Sequence, residues 1–189
     1  DASSESCSPW LAYRKTAGES APANRALTLA LEPALRSGLQ QVADSLQQPP
    51  GAVLQAAWWL LMGRLSGREQ MLVGVRHDSR SDYEYFADAV GVFEKSLPLN
   101  LSLETDLPFD RCLAELACRL DEHRTWQEYW SADLAPAAAR PAYGFSARRA
   151  PQPTASGSLQ WQRADCAHVQ ETLYELMLHV ELEDDGGAR

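Results

Sequence analysis

The stretch that decides the fold runs from residue 90 to residue 103 and reads VGVFEKSLPLNLSL. Its second half alternates strictly and contains four leucines: Leu97, Leu99, Leu101 and Leu103. Successive side chains of a β-strand point to opposite faces, so the four leucines share one face. The pattern therefore predicts a strand that is buried on one side. Pro98 cannot donate a hydrogen bond to a ladder, which indicates an edge of the sheet or a bulge.

Two helices and a strand are predicted before this stretch. A helix opens at Pro33, and its apolar residues recur at the helical period: Leu35, Leu39, Val42 and Leu46. Residues 53–65 are apolar almost all round, which is typical of a helix buried between layers. Residues 71–75 form a short apolar run, predicted as a central strand covered on both faces. Residues 26–31 alternate and are predicted as a further strand.

After the leucine strand, the longest helix is predicted to start at Pro108 and to continue through residues 123–130. Its apolar stripe contains Phe109, Leu113, Leu116 and Leu120. Strands are predicted at residues 143–148, 159–162 and 172–182, with loops at 77–82 and 150–158 and a short helix at 8–17. The order predicts a mixed α/β fold, in which helices pack against a mixed sheet.

Composition excludes several classes of protein. The chain has 189 residues, of which 45% are hydrophobic and 23% charged, as expected for one globular domain or a large piece of one. The formal charge of −9 disfavours binding to nucleic acid. No apolar run approaches the roughly 20 residues that span a bilayer. The chain begins without Met or a signal peptide and ends just after a strand and a turn, so we expect it to be part of a longer protein.

The reactive side chains predict no self-contained active site. The four cysteines form no CxxC pair and are expected to be reduced thiols of a cytosolic protein: Cys7, Cys112, Cys118 and Cys166. The four histidines are isolated in the sequence: His77, His123, His168 and His179. We expect His77 in a solvated loop and His179 exposed on its strand or at an interface.

Other candidates have simpler interpretations. Asp165, Cys166 and His168 could form a nucleophile pair, but no third group lies nearby in the sequence. The Trp58-Trp59 pair is predicted to belong to the core. Residues 181–185 are acidic without the spacing of a calcium loop, so a solvated turn is the better interpretation. The common nucleotide-binding and hydrolase motifs are absent.

Two stretches resemble the condensation domains of non-ribosomal peptide synthetases. Residues 53–69 read VLQAAWWLLMGRLSGRE and are followed by LVG at 72–74. The family has a helix of this kind that ends in Arg-Leu-Ser-Gly, then a strand that ends in Val-Gly. Residues 90–99, VGVFEKSLPL, resemble the family pattern (Ile/Val)-Gly-x-Phe-Val-Asn-Thr-Leu-Pro-Leu-Arg. With the helix from Pro108 and the strand at Tyr174-Glu175-Leu176, the order matches over residues 25–187.

The sequence departs from the family at several positions and is similar to a divergent branch. The family's Asn is Lys95, its Thr is Ser96, and its final Arg is Asn100. The family's His-Gln-Asp-x-Pro-Phe-Glu is replaced by HRTWQEYW at residues 123–130. The family's catalytic His-His-x-x-x-Asp-Gly motif has no counterpart, since the chain contains no adjacent histidines.

The resemblance implies a chloramphenicol-acetyltransferase-like fold of two lobes with a tunnel between them. Residues 25–189 would be the C-terminal lobe, incomplete at its end, and residues 1–18 would be the end of the preceding N-terminal lobe. The complete domain would form an amide between an acyl or aminoacyl donor and an aminoacyl acceptor. Upstream and downstream carrier domains would present both on phosphopantetheine arms, beside an adenylation domain in the cytoplasm. No directly bound cofactor or metal is implied.

Within this lobe, the resemblance implies a tunnel wall and a carrier-docking surface, with no catalytic residue. The candidate wall residues are Gly91, Phe93, Lys95 and Ser96, for which ordinary packing is the alternative. Two other functions stay open: a degenerate scaffold that recruits a partner, and a stand-alone acyltransferase of the same superfold. Alternation puts Lys95 on the side of the leucines, so we expect a carboxylate or water channel near its ammonium. A bulge at Ser96 would instead turn it to solvent.

Overall fold

The computed structural model of the chain describes residues 26–86, 89–104, 106–131, 141–150, 154–161 and 174–182. The helices are α1 (Pro33–Leu46), α2 (Pro50–Ser66) and α3 (Phe109–Trp126). The strands are β1 (Gln70–Asp78), β2 (Glu94–Ser102), β3 (Tyr143–Arg149), β4 (Thr154–Ser156), β5 (Leu159–Trp161) and β6 (Leu176–Leu182). Short 3-10 turns lie at Ser79–Asp82, Glu84–Phe86 and Gln127–Tyr129. The helix predicted at residues 8–17 lies outside the described residues, as does the proposed division at residue 18.

The main sheet has four strands in the order β2-β1-β3-β6. β1 pairs with β2 in antiparallel fashion, and β3 is parallel to both β1 and β6. The sheet is therefore mixed, and the predicted mixed α/β class is confirmed. β2 lies at its edge, as expected from Pro98, whose missing N–H would leave a gap in a central strand. β4 and β5 form a separate two-stranded sheet that turns at Gly157.

The helices cover the face of the sheet that carries the predicted leucines. All four are buried, with 2–8% of their surface exposed, and three of them, Leu97, Leu99 and Leu101, lie opposite the buried side chains of Val75, Val73 and Met71 in β1. Burying each such side chain stabilises the fold by about 1.5–3 kcal/mol relative to leaving it exposed. The expected interpretations of this strand and of the central β1 are both confirmed.

Helix α2 packs against the sheet and against α1 and α3, but it is not buried all round as predicted, since Leu61 and Leu65 are 47% and 46% exposed. Pro50 stands in its first turn, where the missing proline N–H is not needed. Gly67 ends it with φ +64, in the left-handed region that favours glycine, and its N–H donates to the carbonyl of Gly63. Trp59 is fully buried, while Trp58 donates from Nε1 to the Gly144 carbonyl at 3.1 Å. The tryptophan pair thus belongs to the core, as predicted.

The opposite face of the sheet is closed by Tyr174. Its ring lies against Gly74 of β1 and Gly144 of β3, two neighbouring strands with no side chain at these positions. A Cβ atom at Gly74 would overlap the ring. The two glycines are therefore required by close approach, and Tyr174 precedes β6, which begins at Leu176 and not at residue 172 as predicted.

Three predictions about regular structure are wrong. Residues 26–31 form no strand, and Leu27 and Leu29 are largely exposed, because none of the described residues pairs with this segment. Residues 77–78 are not loop, since β2 extends far enough to pair with them. Residues 79–82 form a 3-10 turn, and β4 lies inside the loop predicted at 150–158.

Candidate functional site

The apolar core becomes polar at one end. In β1 the buried alternation that starts at Met71 ends at His77, which is 7% exposed, and in β2 the leucine pattern begins at Lys95, directly opposite His77. The buried stripe of α3 ends in the same way, with His123 followed by Gln127, which is 4% exposed. We call these four residues, His77, Lys95, His123 and Gln127, the polar end of the core.

His77 and His123 form a hydrogen-bond chain. Nε2 of His123 lies 2.9 Å from the carbonyl oxygen of Pro98, which can only accept, so Nε2 carries the proton and donates. Nδ1 of His123 lies 3.0 Å from Nε2 of His77, so the two rings share a hydrogen bond whose direction is set by the tautomers. The chain of contacts joins β1, α3 and β2.

The environment of His77 favours its neutral form. Burial is the main cause that lowers the pKa of His77 to about 4, and the positive charges of His123 and Arg124 lower it further. The Asp82 carboxylate acts in the opposite direction but does not cancel these effects. The imidazole is therefore uncharged at neutral pH.

Two further contacts hold the Gln127–Tyr129 turn against the strand ends. Lys95 Nζ lies 2.9 Å from Glu128 Oε2, and Gln127 Nε2 donates to an Asp82 carboxylate oxygen. The Oε1 atom of Gln127 is buried and has no hydrogen-bond partner among the described residues. We call the contacts His77–His123, Lys95–Glu128 and Asp82–Gln127 the clasp.

An exposed apolar surface adjoins the clasp. Its members are Tyr83, Tyr85, Phe86, Val90, Val92, Trp126, Tyr129 and Trp130. Tyr85, Val92 and Tyr129 are 92%, 95% and 75% exposed. The Asp82–Gln127 hydrogen bond brings the two halves together, since its partners directly adjoin Tyr83 and Trp126 in the chain. We call this the aromatic surface. Exposed apolar groups at this density are typical of a surface that another structure covers.

Two of the four predicted wall residues, Gly91 and Phe93, lie at the edge of the aromatic surface. Gly91 is exposed, and a Cβ atom there would meet the Phe93 ring at 3.0 Å. The Phe93 ring packs against Phe86, with centroids 5.6 Å apart, and under the Arg80 guanidinium. The structure therefore brings Gly91 and Phe93 together.

Lys95 and Ser96 lie on opposite faces of β2. The register is continuous from Gln70↔Ser102 to Asp78↔Glu94, so no bulge interrupts the strand at Ser96. Lys95 therefore lies on the side of the leucines, half-buried, and Glu128 supplies the expected carboxylate. Ser96 is opposite Arg76 on the reverse face, so the four candidate residues do not share one face.

An ion pair orders the segment between β1 and the aromatic surface. Asp78 accepts from the backbone N–H and the guanidinium of Arg80, with a shortest distance of 2.6 Å. These hydrogen bonds lower the pKa of the Asp78 carboxyl below its usual range. Ser79 donates from Oγ to the Phe93 carbonyl at 2.9 Å, which fixes the start of β2.

The remaining reactive groups form no second site among the described residues. Cys112 is a buried free thiol whose pKa is raised by burial and by Glu115, and Cys118 is exposed. His179 is exposed, as expected. In the parts of the chain that the structure describes, no three metal-ligating side chains come together, and no helix is long and apolar enough to cross a membrane. Cys7, residues 165–168 and residues 183–185 lie outside those parts.

The sequence interpretation missed the histidine pair. His77 is not in a solvated loop, and His77 and His123 are not isolated, since their rings are in contact across 46 positions of the chain. A signal was present, because His77 continues the alternation of Met71, Val73 and Val75. His123 likewise continues the stripe of α3. Two polar residues that extend two apolar patterns indicate a buried polar contact where the patterns meet.

Comparison with known proteins identifies the fold. No protein-family model matches the sequence. The chain is 33% identical over 90 residues to chondramide synthase cmdD of Chondromyces crocatus, which is 47% of this chain and 2% of that protein. It superposes on the condensation domain of the monacolin K polyketide synthase MokA with a TM-score of 0.67 and 17% identity, over 85% of this chain and 39% of that one.

Two further solved structures have the same fold. The first condensation domain of the CDA synthetase matches with a TM-score of 0.66 and 17% identity, over 85% of this chain and 37% of that one. The X-domain from teicoplanin biosynthesis, solved in complex with OxyB, matches with a TM-score of 0.64 and 18% identity, over 85% of this chain and 37% of that one. The chain thus spans well under half of each structure. By its fold, the chain is similar to one part of a condensation domain, as the sequence resemblance implied.

Proposed function

We propose that the chain is part of a non-ribosomal peptide synthetase condensation domain. Residues 25–189 are its C-terminal lobe, and residues 1–18 are the end of the preceding lobe. The observation that carries this proposal is the shared fold with condensation domains over 85% of the chain. The similarity to chondramide synthase over 90 residues supports the same family context.

The proposed activity of the complete domain is acyl transfer between two carrier-bound substrates. The acceptor amine attacks the carbonyl carbon of the donor thioester, the amide C–N bond forms, and the C–S bond breaks. The proton lost from nitrogen ends on the released phosphopantetheine thiol. Holding both arms in one tunnel converts an encounter of two molecules into a reaction of positioned groups, which supplies much of the rate. The family's histidine motif belongs to the other lobe.

The proposed contribution of this lobe is a tunnel wall and a docking surface for carriers. Gly91, Phe93, Lys95 and Ser96 are the proposed wall residues. In support, a Cβ atom at Gly91 would lie only 3.0 Å from the Phe93 ring, so the glycine permits their close approach, and an exposed apolar surface adjoins both residues. An opposing lobe would remove that surface from water, which is the usual fate of large apolar patches.

The proposed partners are the N-terminal lobe, the upstream and downstream carrier domains and an adenylation domain. Phosphopantetheine would enter only as the arm of a carrier, and no cofactor of this lobe itself is proposed. The net charge of −9 supports a function without nucleic acid. We place the domain in the cytoplasm, where carrier-bound thioesters and reduced cysteines coexist.

A second candidate is a domain that recruits a partner protein without catalysing amide formation. One of the solved structures with this fold is an X-domain in complex with OxyB, so the fold also occurs in a protein-binding context. In this alternative, the aromatic surface would bind a partner protein and the histidine motif of the parent would be incomplete.

An assay with acyl-loaded and aminoacyl-loaded carriers tests the proposal. The 189-residue chain alone should form no amide above a buffer control, whereas the complete domain that contains it should form amide. Replacement of the motif histidine in the complete domain is the matched negative control. Turnover by the chain alone would contradict the proposed division of labour. A complete domain that forms no amide but binds a protein partner would support recruitment, and use of a soluble acyl thioester would support a stand-alone acyltransferase.

A further inference from the structure

Lys95 is a cation within a leucine pattern. It belongs to the core-facing series of β2 that continues with Leu97, Leu99 and Leu101. The register is continuous, so no bulge turns its side chain to the other face. Placing an ammonium at the end of an apolar face carries a desolvation cost that leucine would not have. Its Nζ is compensated by Glu128 at 2.9 Å. The two side chains are 38% and 45% exposed, so their ion pair contributes little to the stability of the core.

Glu128 is the middle residue of the three-residue Gln127–Tyr129 turn. The side chain before it, Gln127, is buried, and the side chain after it, Tyr129, is 75% exposed. The Trp126 and Tyr129 rings lie 5.6 Å apart and both belong to the aromatic surface. A turn this short has little stability of its own, so its position depends on the contacts that hold it. Those contacts are Lys95–Glu128 and Asp82–Gln127.

We propose that Lys95 is a positioning residue that acts through Glu128. Their ion pair fixes the Gln127–Tyr129 turn and its exposed ring pair in one place, and thereby determines which acyl donors the domain accepts. The second half of this statement rests on the proposed function, and the first half does not. Lys95 lies two residues after Phe93, so the turn that it holds adjoins the part of the chain where the donor is proposed to pass, and loss of either charge alters donor choice in the same direction.

The first test measures amide hydrogen exchange at residues 126–130 of the chain. The variants are Lys95→Met, Glu128→Gln and the swapped double variant Lys95→Glu with Glu128→Lys, while Lys95→Arg preserves the pair. Each single loss should speed exchange of the turn about fivefold, as expected for a half-exposed ion pair, and the swap and Lys95→Arg should restore it. Arg148→Met, which breaks the comparable Arg148–Glu181 pair between β3 and β6, is the matched control and should leave the turn unchanged. Unchanged exchange in Lys95→Met and Glu128→Gln would overturn the positioning role.

The second test measures kcat/KM of the complete domain for two carrier-bound donors that differ in acyl bulk. Lys95→Met and Glu128→Gln should shift the ratio of the two values several-fold in the same direction, and the swap should reverse the shift. Faster exchange with an unchanged ratio of the two kcat/KM values would show that the pair is only a structural contact. That result would refute its role in donor choice. A wild-type domain without amide formation would refute the proposed function, while rescue of exchange by the swap would still support the positioning role.

Discussion

Acidification from pH 7 to pH 5 should weaken the fold through His77. The pKa of its imidazole is about 4 in the folded chain against an ordinary value of 6.5, which we take for the unfolded chain. Below pH 6.5 the unfolded chain binds a proton that the folded chain does not bind until about pH 4. The stabilisation from a neutral His77 is thus fully present above pH 6.5 and is lost as the pH falls towards 4. The loss is about 3 kcal/mol in total and about 2 kcal/mol between pH 7 and pH 5.

Urea denaturation at pH 7, 6 and 5 measures this loss. Because other groups also titrate, the wild-type chain is compared with His77→Gln, whose amide nitrogen can still donate to His123 but does not titrate. The wild type should lose about 2 kcal/mol more than His77→Gln between pH 7 and pH 5. His179→Gln, at an exposed strand position, is the control and should keep the wild-type slope. Equal pH slopes for the wild type and His77→Gln would refute the assignment of a neutral, buried His77. A direct NMR titration of the His77 ring should give an apparent pKa near 4.

Two other outcomes follow from packing and exposure. Gly74→Ala should destabilise the chain by about 2 kcal/mol in urea denaturation, because the new Cβ atom would overlap the Tyr174 ring. Gly38→Ala is the control in a helix: a Cβ atom there would meet nothing within 4 Å, so the variant should stabilise α1 by roughly 0.5–1 kcal/mol. A free energy of unfolding for Gly74→Ala equal to that of the wild type would contradict the first expectation. The aromatic surface should make the chain self-associate in sedimentation and bind an apolar dye, and Tyr85→Ser with Val92→Ser should reduce both effects. A monodisperse wild-type monomer that binds no dye would contradict the second.

Local patterns predicted the elements that depend on local rules. The β2 leucine face could be predicted because alternation over seven residues leaves only one face to bury. Helix α2 could be predicted because Pro50 and Gly67 delimit an apolar segment of helical length, but its complete burial could not, since Leu61 and Leu65 are exposed. The same logic fails for residues 26–31, since alternation produces a strand only where a sheet edge accepts it.

Contacts between distant parts of the chain could be predicted only where a physical need was visible. The carboxylate partner of Lys95 was expected, because an ammonium on an apolar face requires compensation. Its identity as Glu128, 33 positions away, depends on how α3 lies across β2. The His77–His123 pair likewise depends on where β1 and α3 end together, which no single segment of the sequence determines.

The contacts of the clasp help to distinguish two origins of the departures from the family pattern. Either the site has kept a role with changed residues, or its function has been lost. Lys95 and residues 123–130 are two of the places where the sequence departs from the condensation-domain pattern it resembles. Changes that accumulate without selection leave charges and polar groups without partners, because a random replacement at one position has no relation to another 33 residues away. In this chain the two departures meet, and Lys95 is paired with Glu128 at 2.9 Å. Such pairing is expected if the proposed donor role of this site is retained, whereas unpaired charges here would have fitted the alternative of a non-catalytic recruitment domain.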